Sequence, residues 1–97
     1  MDLSAFRATL DTAEPPACGL ALQALWHEAK GEWDRAHDLT NDAGGQAGAW
    51  VHAYLHRVEG DLSNADYWYA RADRSRPEGA TGQEWDAMVA ELLERGA

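Results

Sequence analysis

The chain has 97 residues, of which 45% are hydrophobic, and its formal net charge at pH 7 is −9. This length and composition fit one globular domain with a modest core and exclude a disordered chain. The excess of carboxylates argues against nucleic acid or an anionic membrane as a partner, because little basic surface is left to replace phosphate counterions.

The segment from Met1 to Asp11 has no basic stretch followed by an apolar one, so it does not resemble a secretory signal. The longest apolar stretch, residues 17–26, is too short to cross a bilayer. Cys18 is the only cysteine, which leaves no intrachain disulfide to form. We therefore expect a cytoplasmic protein that contacts no membrane.

Hydrophobic spacing and helix punctuation predict an all-α fold of about six helices, and no segment shows the alternation typical of a strand. Gly31 and Gly60 are predicted turns, and residues 43–45 are a predicted loop. Thr81, three residues before Glu84, predicts a capping box at the start of the last helix. The predicted helices cover about residues 3–12, 16–30, 32–42, 46–59, 61–73 and 82–95.

One segment of the chain nearly repeats another. Residues 26–36 align with residues 55–65 at a constant offset of 29. A period of this size is typical of stacked helical hairpins, because one hairpin cannot bury its apolar face alone. We therefore expect a single helical-repeat domain over residues 1–97, with hairpins at about 17–43 and 46–77 between two flanking helices.

The second hairpin resembles a tetratricopeptide or Sel1-like repeat. The residues that match are Gly60-Asp61-Leu62, Ala65, Trp68-Tyr69, Arg71-Ala72 and Pro77. The first hairpin matches at Gly31, Trp33 and Ala36, but it has Thr40 where the family has an aromatic residue. In these families part of the first-helix surface lines a concave groove that binds peptides. The resemblance therefore implies a non-enzymatic module that binds a protein or peptide, or a second copy of this chain.

The first helix of each hairpin departs from the family's residue pattern. The departure lies beside the place where the two helices of the hairpin cross. The family pattern implies apolar residues where His52 and His56 stand, and His27 occupies the equivalent place in the first hairpin. The apolar face has moved round to residues such as Trp50 and Tyr54. The predicted partner- or ligand-binding residues are His27, Trp50, His52, Tyr54 and His56.

The same histidines allow a second hypothesis, a site for a divalent metal. His52 and His56 are four residues apart and share one helix face, and Glu59 follows three residues later. Two imidazoles and a carboxylate in this spacing are potential metal ligands, and we expect His27 in the same region. The simpler interpretation, which we favour at this point, makes the histidines buried polar groups that hydrogen-bond between helices, because an HExxH motif is absent. His37 is expected at the surface or half-buried.

The sequence contains no catalytic signature. No serine lies in a G-x-S-x-G setting, and Gly44-Gly45 is followed by no lysine, so a phosphate loop is excluded. We therefore favour a non-enzymatic protein without a cofactor over an enzyme. The alternative is a small metal- or ligand-binding protein that uses His27, His52, His56 and Glu59, with hydrolytic activity as one option. The residues predicted to form the core are Trp26, Ala53, Leu55, Ala65 and Tyr69.

Overall fold

The computed structural model describes residues 1–96, and within that range it confirms the all-α fold, with six α-helices and no strand. The helices are α1 (Leu3–Ala8), α2 (Leu20–Ala29), α3 (Trp33–Ala43), α4 (Gly45–Glu59), α5 (Leu62–Arg71) and α6 (Thr81–Glu94). A 3₁₀ turn, Thr9–Asp11, follows α1. None of the helices in this range has both the length and the apolar composition that crossing a bilayer requires.

The predicted turns at Gly31 and Gly60 are confirmed. Both glycines adopt positive φ angles, 82° and 90°, which side chains with a Cβ rarely tolerate. In each turn the residue after the glycine donates its N–H group to the carbonyl oxygen of a histidine, at 2.9 Å for His27 and 3.0 Å for His56. The α2–α3 and α4–α5 pairs are therefore antiparallel hairpins with the same turn geometry.

The fourth helix is the centre of the fold. It contacts α2, α3, α5 and α6, and every residue from Gly48 to His56 is buried. Only Gly44 separates α3 from α4, so these two helices also pack closely. Gly48 lies at this approach, where a Cβ would meet the carbonyl oxygen of Thr40 at 3.1 Å.

The last helix, α6, packs against α4. It contacts both α2 and α4, and the indole nitrogen of Trp85 donates to the carbonyl oxygen of Leu25 at 2.9 Å. As a result Trp50 and Tyr54 lie in the interior, 5% and 3% exposed. The two aromatic residues predicted to contact a partner are thus covered by the chain itself.

The predicted core residues are confirmed as buried. Each is at most 1% exposed, and all belong to one hydrophobic cluster that also includes side chains from α1 and α6. They are Trp26, Ala53, Leu55, Ala65 and Tyr69.

The predicted start of the second helix is wrong. The helix begins at Leu20 rather than at Pro16, because Gly19 has an extended backbone and is the residue before the first helical turn. The side-chain amide of Gln23 donates to the carbonyl oxygen of Cys18 at 2.8 Å. This hydrogen bond satisfies a backbone carbonyl in the irregular segment before the helix.

The predicted capping box between Thr81 and Glu84 is also wrong. Thr81 is the first residue of the helix, and it is Gln83 whose side chain accepts the N–H group of Ala80, at 3.2 Å. Glu84 turns inward instead and accepts a hydrogen bond from the Tyr69 hydroxyl at 2.5 Å. A buried partner on another helix has prevailed over the local capping pattern.

We expect Gly60→Ala to destabilise the protein by at least about 1 kcal/mol, because alanine is strained at a φ of 90°. The matched control is Gly82→Ala, in the first turn of α6, where an added Cβ meets no atom within 4 Å and the helical backbone favours alanine. Chemical denaturation of both variants measures the effect. Equal free energies of unfolding for Gly60→Ala and the wild-type protein would contradict the turn assignment.

Candidate metal centre

Three histidines from two helices bring their Nε2 atoms together. His37 comes from α3, and His52 and His56 lie one turn apart on α4. The Nε2 atom of His52 is 3.1 Å from that of His37 and 3.0 Å from that of His56. Within residues 1–96 this is the one group of at least three His, Cys, Asp or Glu side chains whose ligand atoms all lie within 4.8 Å of one another.

The opposite nitrogen of two of these rings has its own partner. The Nδ1 atom of His56 lies 2.8 Å from a carboxylate oxygen of Glu59, which can only accept a hydrogen bond. The Nδ1 atom of His52 lies 3.4 Å from the hydroxyl of Thr40, and that hydroxyl already donates to the carbonyl oxygen of His37. The Glu59 carboxylate assigns a proton to Nδ1 of His56, and the longer Thr40 contact favours the same tautomer for His52. In that state the Nε2 lone pairs of the two rings face each other.

An asparagine supports the same assignment for His56. The side-chain nitrogen of Asn64, on α5, lies 3.3 Å from the Nε2 atom of His56. An amide N–H group donates there, so the Nε2 atom accepts through its lone pair. Asn64 is half-buried and stands next to the point on which the three imidazoles converge.

Two tryptophans fix the orientation of the rings. Trp33 stacks on His37 with ring centroids 5.1 Å apart, and Trp68 stacks on His52 at 3.9 Å. The indole nitrogen of Trp33 donates to the carbonyl oxygen of Leu55 at 2.8 Å, which ties α3 to α4 beside the cluster. The histidine rings are therefore held in place by aromatic packing as well as by hydrogen bonds.

The environment keeps the central ring neutral. Burial first, and then the neighbouring His37 and His56 rings, lower the pKa of His52 from 6.5 to about 4. At neutral pH His52 therefore carries no positive charge, and its lone pair is available to a metal ion.

The structure separates His27 from this group. Its Nδ1 atom lies 2.8 Å from Glu32, so the first hairpin repeats the histidine–carboxylate contact that His56 and Glu59 make in the second. It is not among the three rings that converge. Glu59 contacts the outer nitrogen of His56 rather than the side of the ring that faces the cluster.

His37 is not among the predicted ligands; the sequence predicts it at the surface or half-buried, and it is half-buried. A usable signal was present: Gly44 links α3 directly to α4, and His37 and His52 stand seven and eight residues from it on either side. Residues at nearly the same distance on either side of so short a link lie close to each other when the helices fold back. Asn64 gave no comparable signal, because its place depends on the packing of α5.

A groove of about 580 Å³ runs along the other side of His52, between the α3–α4 link and α5. Its lining includes Thr40, Trp68 and Arg71. His52 is the one histidine of the cluster in this lining, since neither His37 nor His56 is part of it.

Comparison of the chain with family models, curated proteins and solved structures found no match. The resemblance of the second hairpin to tetratricopeptide and Sel1-like repeats therefore stays a prediction.

We expect the metal-free protein to lose stability as the pH falls from 6.5 to about 4. Over that interval His52 takes up a proton in the unfolded chain but not in the folded one, which removes roughly 3 kcal/mol from the free energy of unfolding. Denaturation in the presence of a chelator, at several pH values, measures this for the wild-type protein and for His52→Gln. The free energy of unfolding should fall more steeply with decreasing pH in the wild-type protein than in His52→Gln. Parallel curves for the two proteins would contradict the lowered pKa of His52.

Proposed function

We propose that this protein binds a divalent transition-metal ion, Zn²⁺ foremost, through the Nε2 atoms of His37, His52 and His56. The observation that carries the proposal is the convergence of these atoms: the Nε2 atom of His52 lies 3.1 Å from that of His37 and 3.0 Å from that of His56. Two nitrogens bound to a tetrahedral zinc at its usual bond length stand about 3.3 Å apart. The two contacting pairs therefore need to separate by only a few tenths of an ångström, and the third pair, His37 and His56, lies within 4.8 Å.

The alternative, a purely structural hydrogen-bonded cluster, accounts less well for the contacts. With the protons of His52 and His56 on Nδ1, no hydrogen lies between their Nε2 atoms, and the two lone pairs repel each other at 3.0 Å. Protonation of His52 does not resolve this conflict at neutral pH, because burial and the neighbouring rings lower the pKa of His52 to about 4. A metal ion accepts both lone pairs at once and removes the conflict.

The surroundings of the rings support the same function. Glu59 holds the Nδ1 proton of His56, an arrangement that orients a metal-binding imidazole and increases its basicity. We therefore assign Glu59 an outer role and not that of a direct ligand. Three imidazole nitrogens suit zinc, cobalt, nickel or copper better than magnesium or calcium, which prefer oxygen.

Binding of a protein, a peptide or a second copy of the chain stays a prediction from the resemblance. The burial of Trp50 and Tyr54 under α6 weakens its case, because the groove that the resemblance implies uses that face. For location we propose the cytoplasm, which the single unpaired Cys18 supports.

Calorimetric titration of untagged, chelator-treated protein with Zn²⁺ tests the metal proposal. We expect one ion per chain, and we expect His37→Gln to lower the affinity by at least about 100-fold, since it removes one of three ligands. Half-buried His37 is the ligand whose replacement disturbs the core least. A circular dichroism spectrum checks that the variant is folded.

The internal repeat provides the controls. His27→Gln removes a buried histidine of the same kind, and Glu32→Gln removes its carboxylate partner, but both lie outside the cluster and should leave zinc affinity unchanged. Glu59→Gln should lower the affinity about 10-fold or more, as expected for an outer carboxylate. No zinc binding by the wild-type protein, or an equal loss in His27→Gln and His37→Gln, would overturn the proposal.

A further inference from the structure

We infer that the metal centre is open: its fourth position holds an exchangeable water molecule or small anion, which Asn64 contacts. This inference rests on the proposed metal function and extends it from binding an ion to binding a ligand through that ion. Zinc in proteins has four ligands when its role is structural and keeps one position free when its role is chemical.

The side chains leave the fourth position without a strong ligand. Within residues 1–96, no Cys, Asp, Glu or fourth His joins the three histidines in the convergent group. Glu59, the nearest carboxylate partner, is engaged at the far nitrogen of His56. His27 is engaged with Glu32 on the first hairpin. The described side chains therefore supply three ligands to the metal.

Asn64 changes partner when a metal binds. In the structure its side-chain nitrogen donates to the Nε2 lone pair of His56, at 3.3 Å. A metal ion takes that lone pair, and the amide N–H group then needs another acceptor, because an unsatisfied donor in a half-buried position is costly. A water, hydroxide or azide on the metal stands where that acceptor is required.

Charge favours an anion at this position. Three neutral imidazoles do not compensate the two positive charges of the ion, in contrast to a site with thiolate or carboxylate ligands. His37 on α3 and Asn64 on α5 are both half-buried, so this edge of the cluster lies near the protein surface. A small solute can reach it from there. The structure thus assigns the site a ligand class, small monoanions with a nitrogen or oxygen donor.

Cobalt-loaded protein and sodium azide test the inference. Co²⁺ replaces Zn²⁺ in such sites and gives a visible spectrum that depends on its ligands. We expect azide to shift the spectrum of the wild-type protein along a saturable curve. Asn64→Ala should weaken azide binding by about 3- to 10-fold, the effect of one lost hydrogen bond. The matched control is Ser63→Ala. The Ser63 hydroxyl is exposed and donates to Asp61, so its removal should not weaken azide binding.

Asn64→Asp gives an independent check, because a carboxylate can fill the fourth position itself. This variant should hold cobalt at least as tightly as the wild-type protein and should no longer respond to azide. Tight cobalt binding with a spectrum that azide does not change would overturn the open site and leave the metal function standing. An azide response in Asn64→Ala but not in the wild-type protein would also overturn it, since the amide would then be the fourth ligand. Failure to bind cobalt at all would overturn both proposals.

Discussion

The structure depends on the enclosure of the middle of α4. This helix packs against α2, α3, α5 and α6, and nine consecutive residues, from Gly48 to His56, are removed from water. A helix buried all round must satisfy each of its polar side chains inside the protein, because an unpaired polar group in the interior costs free energy. Two of the nine buried residues are His52 and His56. Their nitrogens therefore determine what the neighbouring helices must provide.

The two hairpins show how a repeated pattern produces one specialised site. Each has a histidine whose backbone carbonyl oxygen accepts a hydrogen bond at the glycine turn. The Nδ1 atom of the same histidine lies 2.8 Å from a carboxylate oxygen. Only the histidine of the second hairpin has further rings beside it. The reason is the position of its helix: α4 has α3 on one side and α5 on the other, and these supply His37 and Asn64.

The sequence predicts those features that local chemistry determines. Gly31 and Gly60 mark the turns because positive φ angles require glycine, and the four-residue spacing of His52 and His56 places both rings on one face. It does not predict that His37 joins these two rings, because that contact depends on how α3 folds back over Gly44. It predicts Glu59 as a metal ligand beside His52 and His56, but not that this carboxylate meets the Nδ1 atom of His56. Glu84 shows the same limit, because its inward turn towards Tyr69 depends on where α5 lies.

The most direct test of the account is an X-ray absorption spectrum at the zinc edge of protein loaded with one ion per chain. Coordination by His37, His52 and His56 predicts nitrogen or oxygen ligands at about 2.0–2.1 Å and a scattering pattern fitted by three imidazoles, reduced to two in His37→Gln. A spectrum dominated by carboxylate oxygen, or one with a single imidazole in the wild-type protein, would contradict the claim that the three converging histidines form a metal centre.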